Sequence, residues 1–249
     1  MPDKRRHRGK HPDDQRLFAT SCHESLRTAV GEYSWLLSRG YAVDSALKLV
    51  GDRYQLTARQ RMAVRRSACD DEAVTKRADS AMTLSQAIGQ TLAIDGYNLL
   101  ITIESALSGG LVLVGRDGCY RDIASVHGTY RKVEETIPAI ELIVDFLAER
   151  GFPRIDWYLD KPVSNSGRLK VIITDVVTSR SPTGGPLPWN VAVVDSPDAI
   201  LRECDNPIVT SDSAILDRCH TWINLAAEII RTRVPDAWVV DLGRHEARG

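Results

Sequence analysis

Apolar and polar positions along the chain follow two rhythms, and the change falls near residue 90. Over residues 13–38, Leu17, Phe18, Cys22, Leu26, Val30, Tyr33 and Leu37 recur at three- and four-residue steps, the spacing of one helix face. Gly40 ends this helix, and a second is predicted over about Val43 to Val50. Thr57 with Gln60 three residues on has the form of a capping box, so a third helix is predicted to start near Ala58. From Thr91 on, short apolar runs take over: 92–94, 111–114, 155–159, 191–194, 208–210 and 237–240. Helical patterns separate them near 98–107, 119–126, 133–150, 166–178, 197–203 and 213–232. Strands alternating with helices predict an α/β fold with a mainly parallel sheet and helices on both faces. The runs do not alternate with polar residues, as befits strands buried on both sides.

The expected organisation is a disordered basic tail over 1–12, a small all-α three-helix module over 13–68, a linker or helix over 69–87, and the α/β domain over 88–249. The Pro- and Gly-rich stretch at 179–188 reads as the most mobile loop. No apolar run reaches the ~18 residues of a membrane span. The basic N-terminus is not followed by the apolar segment of a secretory signal. Five cysteines, an odd number with no CxxC spacing, predict free thiols in a reducing, cytoplasmic setting and argue against a disulfide framework or a zinc site.

Net charge is -1, unevenly distributed: residues 1–86 hold 16 Lys and Arg against 11 Asp and Glu, and residues 87–249 hold 16 against 22. A basic leader on an acidic body fits a nucleic-acid grip joined to a carboxylate-rich site, and equally a solvated helical region. The third helix carries Arg59, Arg61, Arg65 and Arg66. It can be read as a helix-turn-helix element or as a docking module for a protein partner with an exposed basic face.

The acids supply the candidate chemistry. Asp95, Asp160 and Asp212 each stand at or just after the end of a predicted strand, and Asp217 follows on the next helix. Parallel strands bring their carboxyl ends to one edge, so these four can converge, with Asp195 a weaker fifth. Clustered carboxylates raise one another's pKa unless a cation sits among them. Mg²⁺ or Mn²⁺ suits oxygen ligands, and such a site can activate water against a phosphodiester. For each Asp alone, a helix cap or turn is the competing reading. Asn98 is positioned to cap the helix after Asp95, and Ser211 and Ser213 flank Asp212. After Asp160, Asn165 and Ser166 open a predicted helix that also carries Arg168 and Lys170, a natural phosphate site. The stretch 109–132 offers Arg116, Arg121, His127 and Arg131 for phosphate and base contacts, or forms a surface loop stapled by ion pairs.

The sequence IDGYN at 94–98 resembles the opening motif of the PIN-like nucleases, including the NYN and flap-endonuclease-like branches. TSDSAILD at 210–217 resembles their second signature, and WYLDKPVSNSGRLK at 157–170 is similar to the segment after their middle strand. The likeness covers roughly residues 88–242. The whole chain also resembles an uncharacterised prokaryotic family with a helical N-terminal domain before this body. The resemblance implies a PIN-like fold and Mg²⁺- or Mn²⁺-dependent cleavage of nucleic acid, RNA more than DNA. It implies Asp95, Asp160, Asp212 and Asp217 as metal-binding and catalytic acids. PIN domains add an acid from an intervening helix, a place open here to Glu134, Glu135, Asp117, Asp122 or Glu104. A retired nuclease fold that binds RNA or protein without cleaving is the rival expectation.

Overall fold

The apolar runs form two sheets in the computed structural model, which describes residues 7–124, 130–181 and 187–244. Six helices come first: α1 (Asp14–Leu17), α2 (Thr20–Leu37), α3 (Val43–Arg53), α4 (Ala58–Ser67), α5 (Asp71–Ser80) and α6 (Leu84–Ala87). Then follow β1 (Thr91–Asp95), α7 (Gly96–Leu107), β2 (Val112–Val114), β3 (Tyr120–Asp122), α8 (Thr136–Ala148), β4 (Arg154–Asp160) and α9 (Ser166–Ser179). The chain continues through β5 (Trp189–Val194), α10 (Pro197–Arg202), β6 (Ile208–Val209), α11 (Ser213–Leu216), β7 (Trp222–Ile223), α12 (Leu225–Arg233) and β8 (Val239–Asp241).

The main sheet has five strands in the order β5-β4-β1-β6-β7, and every pairing is parallel. β1 is central. The chain runs outward from it through β4 to β5, then returns to its other side as β6 and β7, so the order reverses between β1 and β6. Such a reversal opens a crevice at the carboxyl ends of the strands. Leu92 and Ile94 of β1 and Trp157 of β4 enter a large core with α7, α8, α9 and α12. Ala93 faces the other way, into a smaller core with Leu201 of α10, Ile215 and Leu216 of α11, and Trp222. Helices thus cover both faces, which is why the strand runs are apolar without alternation.

β2 and β8 do not join the main sheet. They form a separate three-stranded sheet, β3-β2-β8, antiparallel between β2 and β3 and parallel between β2 and β8. Val112 points into the main core, whereas Leu111 and Leu113 point into a core built by α2, α3 and α4. The run is apolar throughout because two different cores cover its two faces. Residues 119–126, expected as helical, contain β3, and the helix expected over 213–232 is broken by β7. Buried polar Arg121 and Asp122 within β3 explain why it did not read as a strand.

The capping box of Thr57 and Gln60 starts α4 as expected. Its four arginines turn to acceptors in the same chain: Arg59 to Asp14, Arg61 to Asp52, Arg65 to Asp44 and Arg66 to the Asp122 carbonyl. Residues 69–87, expected as a linker or helix, carry the helices α5 and α6, and Arg77 of α5 is buried. Residues 7–12, expected to be disordered, cross α7. Arg8 Nε donates to Glu104 at 2.6 Å, its Nη2 donates to the Arg131 carbonyl at 2.6 Å, and its backbone carbonyl accepts from Ser108 Oγ. Gly9 makes this crossing with φ +71°, beside Ser105, a conformation that favours glycine. Five residues of the 179–188 loop, 182–186, lie outside the described residues.

Glu104 is fully buried, also accepts from Thr136 Oγ1 at 2.6 Å, and burial raises its pKa. Removing one partner of a buried pair costs about 3–5 kcal/mol. Arg8→Ala should therefore lose about 3 kcal/mol of stability at pH 8. The loss should be smaller at pH 5, where Glu104 can take a proton. Denaturant unfolding of both proteins at the two pH values measures this.

Candidate functional site

The strand ends that the main sheet brings together carry Asp95 on β1, Asp160 on β4, and Thr210, Ser211 and Asp212 directly after β6. In the register of β1 and β4, Asp95 pairs with Tyr158. Asp95, Tyr158 and Asp160 therefore share the sheet face that α10 and α11 cover, since side chains two residues apart point the same way. Gly96 then turns the chain under β4. A Cβ at that position would stand 2.5 Å from the Tyr158 carbonyl and collide with the Trp157 indole, so the glycine after Asp95 serves close packing. Asn98, expected as the cap of α7, lies inside its first turn, and Asp95 holds the cap position without a side-chain cap bond.

Asp95 is under strong electrostatic stress. It is buried, and desolvation pushes its pKa up to about 7. Thr210 Oγ1, donating to Oδ2 at 2.8 Å, works against the rise, while the negative charges of Asp212 and Asp198 add to it. Among the described residues no cation is paired with Asp95. The same Thr210 oxygen accepts from the Asp212 backbone N–H at 3.0 Å. Asn98 Oδ1 accepts from both Ser211 N–H, at 2.8 Å, and Ser211 Oγ, at 2.9 Å. The end of β6 is thus stitched to β1 and α7 across the crevice. Asp212 caps α11, with Oδ1 accepting from the N–H groups of Ala214 at 2.7 Å and Ile215 at 3.3 Å. This is the structural role that competed with metal binding. Its side chain is nonetheless exposed, and a carboxylate has further lone pairs to offer.

Asp198 was not singled out in the sequence. It lies in the first turn of α10, behind the Ser196 cap and Pro197. That is an ordinary helix start in which an acid favours the macrodipole, and this disguised it. Burial raises the pKa of Asp160, and the charge of Asp198 raises it further. Asp198 therefore acts on both Asp95 and Asp160, although it also pairs with Arg202 of its own helix at 3.4 Å, and Asp95, Asp160, Asp198 and Asp212 gather at the carboxyl-end edge of the sheet. Asp195 is not among them; it is exposed and pairs with Lys161 at 3.0 Å. All donors in the crevice are carboxylate or hydroxyl oxygens, the set that hard divalent cations prefer. Among the described residues, no three of His, Cys, Asp and Glu stand close enough together to enclose an ion.

Other expected site residues lie elsewhere. Asp217 is turned away from the crevice and bound by Arg77 Nε and Nη2 at 2.8 and 2.6 Å. Asp117 is buried under Arg77 and Arg121, which hold its carboxyl well below the usual range despite its burial. Arg121 faces inward on Asp117 and the Ser211 carbonyl and is not free for phosphate. Arg116 pairs with Asp71 and the Cys69 carbonyl on the helical side. Asp122 is buried against Thr102 and Arg66, and burial raises its pKa. Glu135 pairs with His7, Glu104 with Arg8, and Glu134 is exposed. None of these acids was found to complete an ion site.

Ser166 is buried, with its hydroxyl between Tyr97 OH, the Val163 carbonyl and the Asp160 carbonyl. Asn165 adopts a left-handed conformation, φ 74°, and turns its amide to the Tyr130 carbonyl at 3.0 Å. Arg131, Arg168, Lys170 and Ser213 are exposed. Because Tyr130 N–H also donates to the Ser164 carbonyl, Arg131 lies beside the start of α9, the helix that carries Arg168. His127 lies outside the described residues.

Two family models match. A domain of unknown function, DUF5616, covers residues 84–228, and a protein family of unknown function, DUF434, covers residues 25–79. An uncharacterized protein of Methanocaldococcus jannaschii, MJ0935, is 30% identical over 208 residues, which span 83% of this chain and 97% of that protein. No solved structure matches. With its sheet and acid crevice lying within the larger of the two matched segments, the chain belongs to the DUF5616 family and carries a DUF434 segment ahead of that domain.

Proposed function

We propose that the protein is a PIN-like, metal-dependent phosphodiesterase acting on nucleic acid, RNA in preference to DNA. The observation that carries this reading is Asp95: a desolvated carboxylate at a sheet's switch point, with Asp212 and Asp198 raising its pKa further. Like charges gathered in this way favour a bound cation, which would draw the carboxylates back to their ionised forms. Asp95, Asp198 and Asp212 stand too far apart to enclose an ion as they are placed, and would have to turn inward to hold Mg²⁺ or Mn²⁺, with Asp160 on the flank. The ion would supply charge neutralisation and a more acidic water. The chain's own residues position the edge: Thr210 orients Asp95, and Asn98 fixes Ser211. Exposed Arg131, Arg168 and Lys170 would take the phosphate backbone. Five free cysteines fit a reducing, cytoplasmic setting. Among the described residues no helix is long and apolar enough to cross a membrane.

A second reading, binding of RNA or a protein without cleavage, has one observation in its favour. A groove of about 700 Å³ opens on the helical unit, lined by Trp35, Leu49, Arg53 and Arg116. Trp35 and Leu49 are exposed.

Incubation with labelled RNA and DNA in Mn²⁺ tests the two readings. The wild-type protein should cleave RNA, and the Asp95→Asn/Asp212→Asn double variant should lose at least about 100-fold of the rate, the scale of lost charge stabilisation. Cleavage that persists in the double variant removes these residues from the site. No cleavage of any substrate favours the binding role.

The metal-free protein should also show the stress on Asp95. Its folded pKa of about 7 exceeds the unfolded value of about 3.9. The folded state then holds the extra proton between those values, and stability falls as pH rises through that window. Asp95→Asn should remove this component. Relative to wild type, the variant should gain stability on going from pH 4 to pH 8, by an amount on the order of a few kcal/mol. Mn²⁺ should narrow the difference at pH 8. Thermal unfolding across pH, with and without Mn²⁺, measures both effects.

A further inference from the structure

Beneath the acid crevice lies a chain of buried charges that the proposed chemistry does not use. Arg121 grips Asp117 with both arms of its guanidinium, at 2.7 and 2.6 Å, and its Nε donates to the Ser211 carbonyl at 2.8 Å. Arg77, from α5, donates to the second Asp117 oxygen at 2.6 Å and with its other nitrogens holds Asp217. The side chains of Arg77, Asp117 and Arg121 are 3%, 1% and 8% exposed. So complete a burial carries a desolvation cost that the pairing about balances.

A triad of this kind is a poor device for stability alone, since apolar residues of equal volume serve as well or better. What apolar residues cannot do is hold a backbone carbonyl. Here the triad ends on one, Ser211, whose own N–H and hydroxyl fix Asn98. Its neighbours are Thr210, bonded to Asp95, and Asp212.

The other end of the chain of charges is set by the helical unit. The turn 115–118 that presents Asp117 is held by α4 and the start of α5. Arg116 N–H donates to the Ser67 carbonyl at 2.7 Å, and its side chain reaches the Cys69 carbonyl at 3.0 Å and Asp71 at 2.6 Å. Cys119 N–H donates to Asp117 Oδ1 at 3.1 Å, which fixes the carboxylate within the turn. Space is short as well. A Cβ at Gly115 would lie 2.6 Å from Arg121 Nη1 and 3.0 Å from Asp117 Oδ1, so even alanine there must push the guanidinium aside.

We propose that Arg121, Asp117 and Arg77 are positioning residues through which the helical unit sets the place of the Ser211–Asp212 turn, and with it the hold of the crevice on a divalent cation. The second half rests on the cation reading of the crevice; the first half does not. The N-terminal helices are on this account part of the site's framework. Outer-layer residues of this kind typically govern metal affinity by about 10- to 100-fold.

The test uses the full chain and three variants: Gly115→Ala, which alters no charge, Asp117→Asn, and Arg77→Lys, the mildest. Amide hydrogen exchange reads the turn, and Mn²⁺ titration by electron paramagnetic resonance reads the crevice. Exchange at Ser211 and Asp212 should quicken about 10-fold or more while Leu92–Ile94 of β1 keep their protection. Mn²⁺ affinity should fall about 10-fold, the low end of such effects. Wild-type exchange at Ser211 and Asp212 in the folded variants overturns the proposal. So does a loss of protection spread equally over β1, which would make the triad a stability element only. Unchanged Mn²⁺ affinity in a variant whose turn has loosened overturns the link to the cation. If the wild-type protein itself takes no Mn²⁺, the cation reading fails, and the exchange pattern still decides the mechanical coupling.

Discussion

A single carboxylate held out of water sets the terms for the rest of this protein. Asp95 ends the central strand of a parallel sheet, on the face that α10 and α11 close over. Its position follows from the fold: β1 pairs with β4 on one side and β6 on the other, so the chain leaving β1 must pass between two other strand ends. Gly96 makes the passage possible, and Thr210 offers Asp95 one hydrogen bond, which offsets only part of the burial. A group this desolvated must either keep a proton near neutral pH or take a cation. Asp198 and Asp212, by adding negative charge, sharpen that choice.

The helical unit is not a separate body attached by a linker. Its core continues into the outer face of the small sheet, where Leu111, Leu113, Ile123, Val240 and Leu242 pack with Leu26, Val30 and Val64. The N-terminal segment ties α4 to α7, with the Gly9 carbonyl accepting from Arg59 and Arg8 pairing with Glu104. Arg77 reaches further, to Asp117, and Arg121 carries the contact on to Ser211. A helix near the start of the chain and a turn near its end are thus held by the same buried ions. The two matched families adjoin along the sequence, and these contacts give a physical reason for carrying them on one chain.

The parallel sheet and its acid-bearing edge were legible because doubly buried strands leave continuous apolar runs and because Asp after such a run is conspicuous. The second sheet was not, since the run at 111–114 is as apolar as a central strand; only the structure shows that two cores cover it. Asp217 and Arg121 looked functional because a charge in sequence does not disclose its partner, and their partners, Arg77 and Asp117, are distant in the chain or hidden in a turn. Asp198 was missed for the opposite reason: an acid behind Ser196 and Pro197 is fully accounted for as a helix start. Local pattern reports burial well, whereas it does not report which charges pair, whether the partner is distant, as Arg77 is for Asp217, or four residues away in a turn, as Asp117 is for Arg121.

The most direct test of the central claim is to grow crystals of the protein, soak them in Mn²⁺ and collect anomalous diffraction data. The account predicts an anomalous peak within coordination distance of Asp95 and Asp212, with Asp198 turned toward it. A crevice without a peak, or an ion bound only elsewhere on the molecule, would contradict it.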